Sequence, residues 1–361
     1  MPSTISVQLP DLLGLTRTLA LRTNRHCHQV ISASEQWFAQ QPLLDHDERA
    51  ALRALKVGLW AAVCFPTCDP PQLRLATDFL TALVVCAARL ARVRARSMAD
   101  CGWTEADGGS DNVLFRHVLP KIVAAMPSDA ARDAFTASFD AFRAAQARVL
   151  AHLASGTLPG IDAYIELRRD LSGIPLLFGL IQMVEGLTIA PAPDPELTRR
   201  AADVIALSMD IVAYNNDQWS GNRFNVVSVI QAERGVSVQG AINVAFARVD
   251  AAFKGFVAAR AVCADPAAAP LGPTSGGGWT WNPLRRAATP APALAPVPAP
   301  DRDAQLYRRG LEDCIVGTLN WAYETELYFG PAPRGDEVRR YGWVFLRERE
   351  AGDGQGCETD S

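Results

Sequence analysis

The amino-acid sequence predicts an all-α protein, folded as a single large helical bundle. Nearly every periodic stretch of the 361-residue chain repeats its apolar side chains at the spacing of a helix. No stretch alternates apolar and polar residues for long enough to indicate a sheet. Hydrophobic residues make up 49% and charged residues 20% of the chain, which is typical of a globular protein with a large core. We therefore expect one α-helical domain over residues 1–350, followed by a disordered polar tail over residues 351–361.

Four long stretches justify the helical prediction, at residues 71–93, 128–153, 194–217 and 226–260. The first is apolar nearly all round, which is typical of a helix in the middle of a bundle. Ser128 and Asp194 are suitable N-cap residues, and Pro195 stands at the first helical position, where proline is favoured. The last stretch is interrupted near Gly235. Helix bundles commonly build cofactor sites from side chains on facing helices, so polar groups in these stretches are informative.

One region has a different composition. Residues 264–300 are rich in Pro, Gly and Ala and show no period. Such a segment lacks the regularly spaced apolar side chains of a packed helix. We therefore predict a flexible, low-complexity insertion between the last two helical stretches.

The charge and the cysteines exclude several classes of protein. The net charge is −4 and no basic stripe is present, so no nucleic-acid partner is expected. The eight cysteines form no CxxC pair and accompany no His cluster at zinc spacing, which indicates reduced cysteines in a cytoplasmic protein. The N-terminus has no basic start followed by an apolar run, so no signal peptide is expected. An uninterrupted apolar run of ~20 residues is also missing, so no membrane span is expected.

A polar group stands between apolar flanks in "AYNNDQWSGNRFNVVS" (213–228). Asn216 and Ser220 lie four residues apart, so on a helix they share one face, with Asp217 beside them. Amide, hydroxyl and carboxylate oxygens together suit a hard divalent cation such as Mg²⁺. The alternative interpretation is a polar helix end that runs into the Gly-Asn stop behind it.

Several blocks, in order, resemble one family of enzymes. "NNDQWS" resembles the first half of the Asn-Asp/Ser/Glu metal motif of class I terpene synthases. Further blocks resemble the fungal, mushroom-type sesquiterpene synthases: "LPDLL" (9–13), "LRTNRHC" (21–27), "YIELRRDLSG" (164–173) and "WAYETELYFG" (321–330). The resemblance implies the class I terpene synthase fold for the helical domain. It also implies a Mg²⁺-dependent terpene cyclase, a lyase that converts farnesyl diphosphate to a sesquiterpene hydrocarbon or alcohol. The expected partner is thus a small-molecule prenyl diphosphate, and the chain is expected to be a monomer or a homodimer.

The resemblance implies that two arginine-containing blocks bind the diphosphate of the substrate. Arg169 is the expected diphosphate sensor and a catalytic residue, with Ser172 and Gly173 at the linker and effector positions. Arg340 and Tyr341 resemble the C-terminal pair that closes over the diphosphate in terpene synthases. Arginine suits this role because its planar guanidinium makes bidentate bonds to phosphate. The alternative for the first block is an ion cluster on a helix surface.

The resemblance also assigns the metal site and one wall of the pocket. Asn216 and Ser220 are the expected catalytic ligands of one Mg²⁺, and Asp217 is expected beside them. Phe79 lies on a helix that is expected to face the substrate, where aromatic rings can stabilise a carbocation and exclude water.

Two positions depart from the family pattern. The aspartate-rich motif is expected nine residues after Asp78, where Ala87 and Ala88 stand. A Glu is expected eight residues after Asn216, where Phe224 stands. The alternative function is therefore a catalytically impaired, terpene-synthase-like helical protein that at most binds a prenyl diphosphate. A gene model that lost two short coding pieces would leave the same pattern.

Overall fold

The structure is a computed structural model, and it describes residues 5–95, 114–188, 194–264 and 302–348. Helices dominate these residues, so the all-α prediction is confirmed. In chain order the helices are α1 (Leu12–Leu15), α2 (Cys27–Gln40), α3 (His46–Leu55), α4 (Val57–Cys64), α5 (Pro70–Ala95), α6 (Leu119–Ala125), α7 (Asp129–Ser155), α8 (Ile161–Leu171), α9 (Ile174–Glu185), α10 (Pro195–Trp219), α11 (Val226–Arg234), α12 (Val238–Ala264), α13 (Arg302–Glu324), α14 (Glu326–Phe329) and α15 (Arg334–Tyr341). Two strands, β1 (Ser6–Gln8) and β2 (Trp343–Phe345), pair with each other.

The cap residues read from the sequence begin and end the helices. The Ser128 hydroxyl accepts a hydrogen bond from the backbone N–H of Ala131 at 3.2 Å, at the start of α7. The Asp194 carboxylate accepts from the N–H of Leu197 at 3.0 Å, at the start of α10. Gly235 ends α11 with φ 64°, the left-handed conformation that glycine adopts at little cost. These caps satisfy backbone groups that a helix end leaves unpaired, which confirms the predicted boundaries.

The central helix of the bundle is α10. It packs against α12 and α13 and also contacts α8, α9, α11 and α14. Every residue from Ala201 to Val212 is buried, and burial of each large apolar side chain stabilises the fold by roughly 1.5–3 kcal/mol. This buried run contains two carboxylates, Asp203 and Asp210. Because a buried charge is costly unless it is paired, each of them requires a partner from a neighbouring helix.

A two-stranded antiparallel sheet joins the first and last described segments. Val7 of β1 lies opposite Val344 of β2, and both side chains are buried. The N–H of Leu346 donates to the carbonyl of Ile5 at 2.8 Å, which extends the pairing by one bond. The sequence did not predict this sheet, because three-residue strands are too short to display a period of two. The sheet sets the path of residues 346–348 beside the end of α10.

Some sequence predictions concern residues that the structure does not describe. The insertion predicted at 264–300 falls there except for its first residue, and so does the predicted tail at 351–361. Within the described ranges, five cysteines are free and buried: Cys27, Cys64, Cys68, Cys86 and Cys314. Within those same ranges, no helix has the length and apolar character needed to cross a membrane.

Candidate active site

A cavity of about 480 Å³ lies against the central helix α10. Its walls come mainly from α5, α10, α13 and α14, and residues 220–224 close one end. The volume falls in the range of ~300–1,000 Å³ that small-molecule sites occupy. The polar residues of the 213–228 motif meet an apolar interior here, which makes the cavity the candidate active site.

One stripe of α10 faces the cavity. The lining residues Ala206, Asp210, Ala213, Asp217 and Ser220 recur at a spacing of three or four, which places them on one side of the helix. Small side chains at the beginning of this stripe leave room for a ligand. The last turn of the helix is polar and forms the polar end of the cavity.

Three aromatic side chains form one wall of the cavity. The rings of Trp60 and Trp321 are stacked with centroids 4.7 Å apart, and Tyr328 meets Trp321 edge-on at 6.1 Å. The indole N–H of Trp60 donates to Oγ1 of Thr318 at 2.8 Å, and that of Trp321 donates to the carbonyl of Leu55 at 2.9 Å. These bonds fix both indoles. Because a ring face attracts positive charge, the wall suits an apolar or cationic ligand.

Asp217 is held at the polar end by two asparagines. Its Oδ1 accepts from Nδ2 of Asn222 and its Oδ2 accepts from Nδ2 of Asn225, both at 2.8 Å. The turn behind α10 makes this possible, since Gly221 has φ 78° and reverses the chain. The Ser220 hydroxyl donates to the backbone carbonyl of Asp217 at 3.1 Å. The carboxylate of Asp217 is therefore fixed in orientation by its neighbours.

Asn216 has a different environment. Its Nδ2 donates to the backbone carbonyl of Leu327, while its Oδ1 is buried and has no hydrogen-bond partner among the described residues. A buried carbonyl oxygen left in this way costs roughly 1–3 kcal/mol unless an ion or polar ligand bonds to it. Ser220 lies one turn further along the same face. These residues fit one divalent ion such as Mg²⁺, which needs few protein ligands when phosphate and water supply the others.

The acidic residues that the family pattern places around this cavity are replaced here. Ala87 and Ala88, at the expected position of the aspartate-rich motif, line the cavity from α5. Phe224, at the expected position of the Glu, is buried and also lines it. Glu233 serves elsewhere, because its Oε2 accepts from the N–H of Ile161 at 2.6 Å, at the start of α8. Across the described ranges no three Asp, Glu, His or Cys side chains form a group that could hold a metal ion.

A buried ion pair supports the polar end from behind. Nε of Arg168 donates to Oδ1 of Asp210 at 2.8 Å. Oδ2 of Asp210 accepts from the hydroxyl of Tyr164 at 2.6 Å and from the N–H of Val226 at 3.0 Å. Burial lowers the pKa of Arg168, but the charge and hydrogen bond of Asp210, together with Tyr164 and Asp217, raise that pKa above its ordinary value. This pair was not predicted from the sequence, although an acid inside the apolar stretch 194–217 indicates a buried partner.

Arg169 is adjacent to Arg168 but does not line the cavity. Its guanidinium makes two bonds to Asp203, of 2.6 and 3.2 Å. Arg199 contacts the same carboxylate at 3.3 Å. This placement differs from the prediction that Arg169 meets the diphosphate. The reason is geometric, because consecutive residues of α8 point about 100° apart and reach different parts of α10.

The break between α8 and α9 contains the other residues of this block. Ser172 and Ile174 line the cavity, whereas Gly173 between them does not. Gly173 has φ 69°, and a Cβ built on it would lie 2.8 Å from side-chain atoms of Leu83. Only glycine fits this backbone without strain. Gly173 thus shapes the cavity by allowing the helix break to approach α5, and its contact with the substrate stays a prediction.

Three further predicted substrate contacts lie away from the cavity. Phe79 is fully buried between Phe115 and Phe135, with ring centroids at 5.5 and 5.4 Å, so it is a core residue. Arg340 and Tyr341 line a separate depression beside the N-terminal segment, and Tyr341 is 61% exposed. This position results from the packing of α15 against α13 and β2. This pair therefore lies apart from the candidate active site, and its closure over a diphosphate stays a prediction.

Arg347 lines the cavity without having been predicted. It follows β2, and its guanidinium lies 5.2 Å from the centroid of the Trp219 ring. The sequence offers no signal for this placement, since it depends on the pairing of two very short strands.

The described residues form an all-α bundle, and its class I terpene synthase fold is shared with solved structures of terpene synthases. A family model described as "Terpene synthase family 2, C-terminal metal binding" matches residues 85–255. The chain is 28% identical to Sesquiterpene synthase Agr1 of Cyclocybe aegerita over 94% of each protein. It is also 28% identical to Sesquiterpene synthase 1 of Postia placenta over 96% of each.

Solved structures share the same fold. The crystal structure of α-eudesmol synthase matches with a TM-score of 0.63 and 16% identity, over 85% of this chain and 97% of the other. Germacradien-4-ol synthase from Streptomyces citricolor matches with a TM-score of 0.59 and 17% identity, over 89% and 99%. The resemblance to terpene synthases that the sequence motifs indicated is therefore confirmed, and so is the fold.

Proposed function

We propose that this protein is a terpene cyclase that ionises farnesyl diphosphate and releases a sesquiterpene hydrocarbon or alcohol together with diphosphate. The observation that carries the proposal is the buried, unpartnered Oδ1 of Asn216 at the polar end of an aromatic cavity. The two relatives reported above are both named sesquiterpene synthases, which supports farnesyl diphosphate as the substrate.

The substrate is proposed to lie along the stripe of α10. Its hydrocarbon occupies the apolar part of the cavity, which Leu83, Val84 and Leu327 line together with the aromatic wall. Its diphosphate lies at the polar end, near Asn216 and Ser220. Burial of the hydrocarbon supplies binding free energy of about 25 cal/mol per Å² of apolar surface. It also keeps water from the reacting carbon.

Ionisation breaks the allylic C–O bond, with both electrons leaving on the diphosphate oxygen. The positive charge that remains on the hydrocarbon faces the rings of Trp60, Trp321 and Tyr328, which stabilise it electrostatically. Burial raises the pKa of Tyr328 above its ordinary value, so its ring stays a neutral phenol. The reaction ends when the cation loses a proton to give a hydrocarbon, or takes up water and loses a proton to give an alcohol.

Asn216 and Ser220, with Asp217 beside them, would hold one Mg²⁺. When bound, the ion supplies positive charge that offsets the charge developing on the departing diphosphate. The metal-binding description of the matched family supports a divalent cation. The two asparagines that orient Asp217 keep its carboxylate directed at the polar end.

A second candidate function is a protein that binds a prenyl diphosphate without ionising it. It is favoured by Ala87, Ala88 and Phe224, which present hydrocarbon to the cavity where the family pattern has carboxylates. Fewer metal ligands mean less charge neutralisation on the leaving group, which slows ionisation more than binding.

The test is to incubate the purified full-length protein with farnesyl diphosphate and MgCl₂, and to measure volatile terpenes by gas chromatography and released diphosphate enzymatically. The cyclase is expected to give both products, and EDTA is expected to abolish them. A matched control is Asn243→Ala on α12, whose side chain contacts Gln239 outside the cavity and which should behave as the wild type. If farnesyl diphosphate binds but no product forms at any Mg²⁺ concentration, the second candidate is correct.

A further inference from the structure

We propose that Arg347 is the residue whose side chain binds the diphosphate at the mouth of the cavity. This inference rests on the proposed function, because it assigns a recognition residue to the same substrate. No motif marks Arg347, and neither of the arginine blocks singled out in the sequence contains it.

The backbone of Arg347 is held against the end of α10. Its N–H donates to Oδ1 of Asn215 at 2.9 Å, and its carbonyl accepts from Nε2 of Gln218 at 2.7 Å. Nδ2 of Asn215 also donates to the carbonyl of Phe345 at 3.2 Å. These three bonds fix the strand end next to the last turn of α10. The Cα of Arg347 is thereby placed beside the polar end of the cavity.

The side chain of Arg347 is available for an anion. Its guanidinium lies over the ring of Trp219, a cavity-lining residue, and within the described ranges it forms no ion pair. The arginines of α8 differ in this respect, since Arg168 is paired with Asp210 and Arg169 with Asp203. Stacking on an indole ring leaves the edge of a guanidinium, with its N–H groups, free to bond to phosphate.

The charges lining the cavity require such a cation. Asp210 and Asp217 are the carboxylates of the lining, and Asp210 is already neutralised by Arg168. A diphosphate at the polar end would meet the negative charge of Asp217. Among the lining residues of the described chain, Arg347 alone is positively charged. Because Arg347 forms no ion pair within the described ranges, binding of diphosphate does not require the breaking of an existing salt bridge.

The test is calorimetric titration of inorganic diphosphate into the full-length protein, with MgCl₂ and separately with EDTA. Arg347→Gln is expected to weaken binding at least about tenfold, because a charge-assisted bidentate contact is lost. Arg347→Lys is expected to recover only part of the affinity, because an ammonium group cannot form the planar pair of bonds. Arg53→Gln, at an exposed arginine of α3, is the matched control and should bind as the wild type.

The outcomes separate this inference from the proposed function. If the wild type and Arg347→Gln bind diphosphate equally, the assignment of Arg347 is overturned while the function stands. If the wild type does not bind diphosphate under either condition, both are overturned. Urea unfolding of Arg347→Gln is expected to match the wild type, because its side chain is exposed and its tethering bonds involve the backbone.

Discussion

Asn216 and Asp217 are adjacent in the sequence but differ in their bonding. Both carboxylate oxygens of Asp217 accept amide hydrogens, from Asn222 and Asn225. Oδ1 of Asn216 is buried and accepts none within the described residues. A cation at this end of the cavity gains a new bond at Asn216 without displacing an old one. Among the proposed ligands, Asn216 is therefore the one whose loss should have the largest effect.

Asn216→Ala is expected to reduce Mg²⁺-dependent terpene formation by about a hundredfold or more, because it removes the unpartnered amide oxygen that is proposed to bind the ion. Asn216→Asp keeps an oxygen at the position and should retain more activity than the alanine variant. Initial rates at saturating substrate provide the measurement. Wild-type rates in Asn216→Ala would show that the ion is held elsewhere.

Ala87→Asp tests the missing carboxylate on the α5 wall. Ala87 lines the cavity and is exposed, so the new charge would not be buried. We expect Mg²⁺-dependent release of diphosphate to rise at least about tenfold, because a second wall of oxygen ligands can then contribute to binding the cation. Ala50→Asp makes the same chemical change on exposed α3 and should have no effect. An unchanged rate in Ala87→Asp would mean that α5 takes no part in metal binding.

Asp210→Asn tests the buried pair behind the polar end. The side chain of Asp210 is 4% exposed. Removing its negative charge leaves the buried positive charge of Arg168 without its salt-bridge partner. We expect the free energy of unfolding to fall by about 3 kcal/mol, as measured by urea denaturation. Glu196→Gln removes an exposed acid that contacts Arg199 and Arg200, and it should cost less than about 1 kcal/mol. Equal effects of the two variants would contradict the assignment.

At the residue scale, helical spacing was sufficient to find part of the site. Asn216, Asp217 and Ser220 line one cavity, and four-residue periodicity places them there regardless of the other helices. The partners of Arg168 and Arg169 could not be read in the same way. Which of two neighbouring side chains meets a given carboxylate depends on how α8 crosses α10, and the sequence does not specify that crossing.

The elements divide into helices that the sequence specifies and a sheet that it does not. Cap residues such as Ser128 and Asp194 act through bonds within four residues, so they are visible in the sequence. The sheet of β1 and β2 joins residues more than 330 positions apart in the chain. Its consequence, the placement of Arg347, is therefore found only in the folded chain.

The double variant Asn215→Ala/Gln218→Ala tests the attachment of the segment after β2 to α10. It removes the side chains that bond to the backbone of Phe345 and Arg347. Diphosphate affinity is expected to fall several-fold, because the guanidinium is then less well positioned. Thermal unfolding should change little, since these bonds lie at the surface. Calorimetry provides the affinity, and an unchanged value would show that the tether is unnecessary.

At the scale of the whole molecule, stability should depend on pH through Asp313. This carboxyl on α13 is bonded to Arg22 of the N-terminal segment. Burial raises the pKa of Asp313 to about 6 against the lowering effect of Arg22, while the ordinary value is 3.8. Because the folded state holds this proton more tightly, the stabilisation is complete below about pH 4 and is lost as the pH rises through 6.

Asp313→Asn removes this titration. The wild type is expected to lose about 2 kcal/mol more than the variant between pH 4 and pH 7, in urea unfolding at a series of pH values. Loss of the Arg22 contact shifts the variant by a constant amount, so the slope is the informative quantity. Parallel curves would show that Asp313 titrates alike in both states.

The global architecture was accessible from the sequence because it rests on many weak signals that agree. Period, caps and ordered motif blocks all indicate one helical bundle, and the bundle is what the structure shows. The cavity rests on fewer signals. Its aromatic wall joins α4, α13 and α14, whose contacts bring together residues more than 250 positions apart. No local sequence pattern predicts a contact between residues so far apart in the chain.

The two arginines of α8 have one more consequence. Arg168 and Arg169 form salt bridges with two carboxylates of α10, those of Asp210 and Asp203. These two residues are seven positions apart, which is about two helical turns. Sliding or rolling of α8 over α10 would break both salt bridges at once, so the two helices should move as one rigid unit. Structures determined with different ligands should superpose closely at α8 and α10. Their variation should be concentrated in the rotamer of Arg347, across the cavity mouth.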